Sequence, residues 1–357
     1  MRFNDVFTAR SLAYRLSADP SNAMPFVGEA FFPTKKKMGI DLRWIKAHKG
    51  LGIELKPSTY DALATIRPRQ GFTVLAEEMP LFRESMKVSE KDMVDIQRAA
   101  DSNDPYVQDA INDVYDDVNN LVNGARIASE RMRMSLLAPT TGDMKIQIGL
   151  ADNTIYNYNY DVNGDWKSSN YLPLSGTATW ASTNATTAKP LNDIQTGLDV
   201  LADKGYKGAY ILMNSKTFNY LAEIDQIKNA LITLTGNAVD YLDQATVKDI
   251  IAKKTGLTPI IYNKKYNDVN GFSQKFYPDD YVTIIGQEQL GNTWMGMTPE
   301  ERTLLGDPKV DVGIMDSGIA IAIQNIYGPP ARHETTVSQV ALPSYEGMDA
   351  VFEIKVK

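Results

Sequence analysis

One stretch, from Asp104 to Leu137, constrains the fold more than any other, because its apolar residues recur at the spacing of a single long helix. Val107, Ile111, Val114, Val118, Leu121, Ala125, Ala128 and Met132 follow one another at steps of four and three. That draws one apolar stripe along ~50 Å of helix at about 1.5 Å per residue. Asp104 can cap the free amides of a first turn that Pro105 is suited to open, and Pro139 and Gly142 end the run. Asp113, Asp116 and Asp117 lie in its first half and Arg126, Arg131 and Arg133 in its second, the polarity that suits the helix dipole. The stripe fits either a core face or a coiled-coil seam. Gly124, which costs about 1 kcal/mol in a helix interior, and the small Ala125 and Ala128 favour a spine lying on strands.

A helix this long needs other elements along it. With 357 residues, 43% of them hydrophobic, the chain can build two or three domains or one large irregular one. No run of about 18 apolar residues occurs. Met1-Arg2-Phe3-Asn4-Asp5 lacks the basic-then-apolar pattern of a secretion signal, so synthesis and function in the cytoplasm are expected. The absence of cysteine removes disulfides, thiolate nucleophiles and the usual structural zinc sites together. A net charge of −7 with no basic tail argues against tight sequence-independent binding of nucleic acid, which needs clustered Lys and Arg to replace phosphate counterions.

Residues 1–33 read as an arm, with short apolar pieces such as Phe3, Val6 and Phe7, then Leu12, Tyr14 and Leu16, separated by Asp19-Pro20 and Met24-Pro25. Residues 34–80 read as a long two-stranded loop. Lys35-Lys36-Lys37 leads into an extended segment from Ile40 to Ala47, Leu51 to Leu55 forms a second strand across a Lys49-Gly50 turn, and Phe72 to Ala76 forms another. Fixing ~45 backbones costs roughly 1 to 2 kcal/mol each, and this stretch has too few apolar side chains to offset the sum alone. A partner must order it.

After the long helix, Lys145 to Ile148 starts strand material, and Tyr156, Tyr158, Tyr160 and Val162 alternate with Asn157, Asn159 and Asp161. Asn163-Gly164 then reads as the type I′ turn of a hairpin before Trp166. Ser168 to Ala188 reads as surface strands and loop anchored by Trp180. From Pro190 the pattern becomes a compact α/β unit. Helices are expected at Leu191 to Leu201, around Phe218 and Leu221, and at Val247 to Ile251 before Gly256. Strands are expected at Tyr210 to Met213, Pro259 to Tyr262 and Tyr281 to Ile285. Ile319 to Ile323, Thr335 to Leu342 and Val351 to Val356 return to strands, which predicts one sheet bearing the spine with residues 190 to 310 inserted as a second domain.

No catalytic constellation emerges. His48 and His333 are the only histidines, and a solvated surface role is the simpler reading of both. No Gly-x-Ser-x-Gly, phosphate loop or Gly-x-Gly-x-x-Gly is present, and Asp316-Ser317-Gly318 matches part of a serine-protease signature by chance. Asp161-Val162-Asn163-Gly164-Asp165 starts like a calcium loop, yet Trp166 stands where the loop needs glycine and Leu172 where it needs glutamate. Glu77-Glu78, Asp116-Asp117, Asp279-Asp280 and Glu300-Glu301 point apart on a helix or strand, and solvation explains them. The expectation is a protein that is not an enzyme, with no cofactor and no metal.

Several stretches, in order, resemble the major capsid proteins of lambda-like tailed bacteriophages. They are Gly28-Glu29-Ala30-Phe31-Phe32-Pro33, Gly71-Phe72 leading to Met79-Pro80, Trp180 followed by Pro190 and Asp193-Ile194, and Leu342-Pro343 with Met348-Asp349-Ala350. The resemblance covers nearly the whole chain and implies an α+β tailed-phage capsid fold. Its parts would be an N-terminal arm (1–33), an extended β loop (34–80), a peripheral domain (81–189) with the spine helix 104–137 and a β hairpin, an axial α/β domain (190–318), and return strands of the peripheral domain (319–357).

The implied function is self-assembly, through head-to-tail contacts that close pentamers and hexamers, into an icosahedral shell enclosing the phage genome. The implied setting is the virion, assembled in the host cytoplasm with a separate scaffold protein, a portal and a decoration protein. Contact with packaged DNA would be weak and non-specific, which suits an acidic container wall, and no membrane is involved. Phe32, Pro33, Lys35, Lys36, Lys37, Trp44, Arg67, Arg69, Glu77 and Glu78 are the residues expected at assembly contacts, with the lysines pairing with Glu77-Glu78 or a neighbour. The Tyr- and Asn-rich region 151–186 is longer than the family pattern. Its Tyr, Asn and Trp content motivates the alternative of a surface-binding or adhesin-type module.

Overall fold

The computed structural model describes residues 26–46, 73–88, 105–149, 155–235, 242–268, 271–304, 310–314, 318–326 and 332–357. The chain divides into two compact units, one from Met1–Leu42, Ala76–Arg133 and Asn292–Ser344, the other from Arg43–Leu75, Met134–Gly291 and Tyr345–Lys357. In chain order the first elements are α1 (Val27–Phe31), β1 (Thr34–Lys36), β2 (Asp41–Lys46), β3 (Thr73–Glu78), β4 (Leu81–Val88) and α2 (Pro105–Leu137). Then come β5 (Lys145–Gly149), β6 (Ile155–Asn159), α3 (Asp165–Asn170), β7 (Tyr171–Pro173), α4 (Pro190–Asp203), β8 (Tyr210–Met213), α5 (Ser215–Glu223), α6 (Asp225–Thr235) and α7 (Gln244–Thr255). The remainder is β9 (Thr258–Ile261), β10 (Lys265–Asn267), β11 (Ser273–Lys275), β12 (Tyr281–Ile285), β13 (Asn292–Met295), a π-helical turn (Glu300–Leu304), β14 (Val310–Ile314), β15 (Ala320–Ile326), β16 (Arg332–Ser344) and β17 (Val351–Lys355).

In the first unit the sheet runs β1-β13-β16-β15-β14. The 13-residue β16 carries β4 along His333 to Val340 on one edge and β13 along Ala341 to Ser344 on the other, since the Ala341 N–H donates to the Pro80 carbonyl at 3.4 Å while the Val340 carbonyl of the same peptide accepts the Gly296 N–H at 2.8 Å. The helix α2 lies on these strands, as its small residues suggested. Gln339 on β16 donates through Nε2 to the Ala125 carbonyl at 2.6 Å, and Ser129 donates to Gln339 Oε1 at 3.4 Å. Val118 and Met132 of the expected stripe are buried and Leu121, Ala125 and Ala128 are half-buried, but Val122, Ser129, Glu130 and Arg133 are buried as well. The inward face is therefore wider and more polar than periodicity indicated. Asp104, the expected cap, and the side chains of Val107, Ile111 and Val114 lie outside the described residues, as does the strand expected at Leu51 to Leu55.

In the second unit the sheet order is β7-β17-β12-β8-β9, with β12 wholly buried at its centre. Helix α4 packs closely on this sheet at Gly197, where an added Cβ would sit 2.7 Å from Ile284 and Phe352. Asn214 caps α5 by accepting the Thr217 N–H at 2.9 Å, and Asp243 caps α7 by accepting the Thr246 N–H at 3.1 Å. Gly256 ends α7 with φ 73°, a left-handed turn that glycine adopts without steric cost. Trp180 is fully buried, and its indole N–H donates to Asp193 Oδ2 at 2.8 Å in the first turn of α4. Burial pushes the Asp193 carboxyl above its ordinary range, and the Trp180 hydrogen bond opposes that shift.

Two expectations are corrected. No hairpin turns at Asn163-Gly164, because β6 pairs back on β5, with Ile146 opposite Tyr158 and Ile148 opposite Tyr156. Asp161 instead accepts the N–H groups of Trp166 and Lys167 at 3.1 and 3.0 Å, and Gly164 at φ 74° leads the chain into α3. This local capping prevails because it buries Trp166 completely, with the indole N–H shared between the Met348 and Val351 carbonyls. The last strand also changes partners. β17 joins the second unit, antiparallel to β12 and parallel to β7, instead of returning to the strands at 319–342. Its residues Val351 to Ile354 are buried on both faces, which a central position in an α/β sheet provides.

Among those residues Glu353 is anomalous. It is 0% exposed, and among the described residues neither carboxylate oxygen has a hydrogen-bond partner. Desolvation by burial pushes its carboxyl well above the usual 4.5. The folded state then holds a proton that the unfolded state releases, so the contribution is fully favourable below about pH 4.5 and fades as pH rises toward the folded pKa. Glu353→Gln should raise stability near neutral pH and remove a slope of up to ~1.4 kcal/mol per pH unit, read by urea unfolding between about pH 5 and about pH 8. An unchanged slope in the variant contradicts the assignment.

Candidate assembly site

The segment Gly28 to Pro33 is fastened to the first unit by a buried charge network on α2. Glu130 and Arg133, one turn apart, have side chains 0% and 4% exposed. Glu130 Oε1 accepts the Gly28 N–H at 2.9 Å, while Arg133 Nη1 donates to Glu130 Oε2 at 3.5 Å. The rest of the guanidinium is spent on threonines: Nε donates to Thr293 at 2.8 Å and Nη2 to Thr34 at 3.1 Å. Glu29 lies at 4.0 Å. Thr293 in turn donates to the Phe32 carbonyl at 2.9 Å, and its N–H donates to the Pro33 carbonyl at 3.0 Å. A Cβ at Gly28 would sit 2.7 Å from Glu130 Oε2 and 2.8 Å from Arg133 Cβ, so only glycine lets the backbone come this close. The parallel pairing of Thr34 to Lys36 with Thr293 to Met295 follows directly from this anchor.

The expected assembly residues divide accordingly. Phe32 is fully buried and Pro33 half-buried, so Phe32 serves the anchor itself. Lys35 stands 6.0 Å over the Trp294 ring, Lys36 pairs with Glu301 at 2.5 Å, and Lys37 donates to the Asp41 carbonyl at 2.8 Å. Within the chain the three lysines thus meet Trp294, Glu301 and the Asp41 carbonyl. Glu77 is half-buried and Glu78 exposed. Arg67, Arg69 and His48 lie outside the described residues, and so do the side chains of Trp44 and His333.

Sequence reasoning gave Arg133 only a part in matching the helix dipole and missed Glu130 and Thr293. Neither Glu130 nor Arg133 falls on the expected stripe, and Thr293 lies outside every segment singled out by pattern, so local periodicity carried no signal for them. It also treated Glu300-Glu301 as solvated, whereas each is 6% exposed and ion-paired. The tyrosines behind the surface-binding alternative are largely core, since Tyr158 and Tyr160 are each 4% exposed and Tyr156 alone is open, at 41%. Among the described residues no helix is long and apolar enough to cross a membrane, and no cluster of His, Cys, Asp and Glu is placed to hold a metal ion.

Comparison with known proteins adds a family to this geometry. The family described as phage major capsid protein E matches residues 8–307. A putative capsid protein of a prophage in E. coli CFT073 shares the fold with a TM-score of 0.60 and 13% identity, over 100% of this chain and 99% of that one. A phage-related protein from Bordetella bronchiseptica RB50 does so with a TM-score of 0.56 and 13% identity, over 96% and 95%. No curated protein matches the chain.

Removing one member of the buried network leaves the other uncompensated. Arg133→Met should cost about 3 to 5 kcal/mol in guanidinium unfolding, and Gly28→Ala about 1 to 3 kcal/mol through the clash with Glu130 and Arg133. Wild-type midpoints for both variants would remove the anchor from the account.

Proposed function

The chain belongs to the phage major capsid protein E family, and from that premise we propose that its copies close head-to-tail into pentamers and hexamers of an icosahedral shell around the phage genome. Shell formation is a structural role within the virion, carried by contacts between copies. In this reading the arm 1–33 and the loop 34–80 reach over neighbours, the first unit is the peripheral domain and the second the axial domain, so that residues 134–189 and β17 move from the expected peripheral domain to the axial one and residues 292–318 move the other way.

One observation supports the loop's part. Among the described residues β2 and β3 form a two-stranded sheet of their own, and two strands alone are marginally stable in water. A neighbouring copy lying against them supplies the missing burial. A separate scaffold protein, a portal, a decoration protein and assembly in the host cytoplasm belong to the same proposal. So does weak contact with packaged DNA, which the net charge of −7 favours. The lambda-like affiliation rests on the order of the motifs from Gly28 to Ala350.

Electron microscopy of the purified protein, alone and with a co-expressed scaffold, should reveal closed shells; dispersed monomers in both preparations would overturn the reading. The backbone bond from the Met79 N–H to the Ile40 carbonyl, 2.9 Å, brings the two ends of the loop together. Residues 43–75 can therefore be replaced by a short Gly-Ser linker. That variant should keep its circular dichroism and thermal transition but form no closed shells. Normal particles from it would reject the loop's assigned role.

A further inference from the structure

The π-helical turn Glu300–Leu304 presents two neighbouring carboxylates, each more than nine-tenths buried, to cations from two different strands. Glu301 Oε1 meets Lys36 Nζ at 2.5 Å, and Glu300 Oε1 meets Arg83 Nη2 at 2.6 Å. Ser338 on β16 donates to the other oxygen of Glu300 at 2.7 Å, which ties the turn to the sheet. Thr298 steadies it from below, accepting the Glu301 N–H at 3.2 Å through its hydroxyl and the Arg302 N–H at 3.0 Å through its carbonyl.

The two cations are not arbitrary surface charges. Lys36 ends β1 and Arg83 sits near the start of β4, so they belong to the strands that carry the chain into and out of the loop. Strand β1 has three paired positions on β13 and cannot hold its place firmly by its own ladder. Both cations are half-exposed, at 41% and 45%, while their carboxylates are 8% and 7% exposed. Acid and base could have remained in water; instead the acids are withdrawn beneath the strands. Among the described residues Glu301 Oε2 is buried without a hydrogen-bond partner, and Lys36 is the cation paired with that carboxylate.

The geometry points to Glu300 and Glu301 as positioning residues, a charge clamp that fixes the two strands bracketing the extended loop so that a second copy of the chain can receive it. The clamp stands on this unit's own contacts, and its consequence for assembly rests on the shell reading above. Charge is essential to it, because an ionised acceptor binds its donor roughly twice as strongly as a neutral one.

The test is Glu300→Gln with Glu301→Gln in the full chain, a change that keeps shape and acceptor oxygens while removing both charges. Amide exchange should rise about tenfold in residues 34–36 and 81–88 and stay unchanged in 320–326, with a similar fall in shell yield. Lys36→Met should reproduce the effect in 34–36, and Lys36→Arg should not. Unchanged exchange in the double variant, or a uniform rise that includes 320–326, overturns the clamp. Absence of shells from the wild-type protein would count against the shell reading alone, since the exchange experiment decides the clamp independently.

Discussion

Arg133 spends its guanidinium on parts of the chain that are remote in sequence: Thr34 beyond the arm, Thr293 on the sheet and Glu130 on its own helix. A buried guanidinium is tolerable only when its donors are used and its charge is matched, and here both conditions are met by side chains that must arrive together. The arm's end, the long helix and β13 are therefore interdependent. Glu130 closes the arrangement by accepting from the backbone of Gly28, so the arm is held by its main chain and tolerates no side chain at that point. Apolar burial of Phe31 and Phe32 supplies much of the binding free energy, while the charge network dictates the register.

The same molecule buries carboxylates under three different regimes. Glu130 faces an arginine and a backbone amide; Glu300 and Glu301 face half-exposed cations; Glu353 faces neither cation nor donor. Desolvation is common to all of them, and what differs is the compensation. The first three have cations or donors beside them, whereas Glu353 lies near Tyr277, Tyr345 and Tyr171 with its carboxyl pushed well above the ordinary value by burial, and the three hydroxyls are pushed up as well, Tyr171 to about 12. A carboxyl buried on an interior strand is tolerated at a cost, and the fully buried β12 beside it supplies the packing that offsets it.

Long-period features were legible in the sequence. The helix from Pro105 to Leu137, the α4, α5 and α7 helices, and the β8, β9 and β12 strands all follow from hydrophobic spacing and glycine stops, because those signals are local. What escaped depends on partners distant in the chain. Asn163-Gly164 has the composition of a hairpin turn, but Asp161 and the need to bury Trp166 redirect it into a helix. Strand β17 could have joined either sheet on pattern alone, and its burial on both faces decided between them. Glu300-Glu301 resembles any exposed acidic pair until Lys36 and Arg83 arrive from more than 200 residues away. The motif Gly28 to Pro33 was visible as a resemblance, yet the reason for its glycine lies on α2.

The long antiparallel ladder between β4 and β16 also has a mechanical meaning. The loop leaves β4 at Leu81, in line with the strand, so a pull transmitted through Pro80 acts parallel to the ladder that pairs Leu81 to Val88 with Val340 to His333. Tension in that direction strains all the rungs at once, in shear, instead of unzipping them one after another. A coat swelling under internal pressure would meet its stiffest resistance along this axis, where the eight paired positions of β4 on β16 carry the load together.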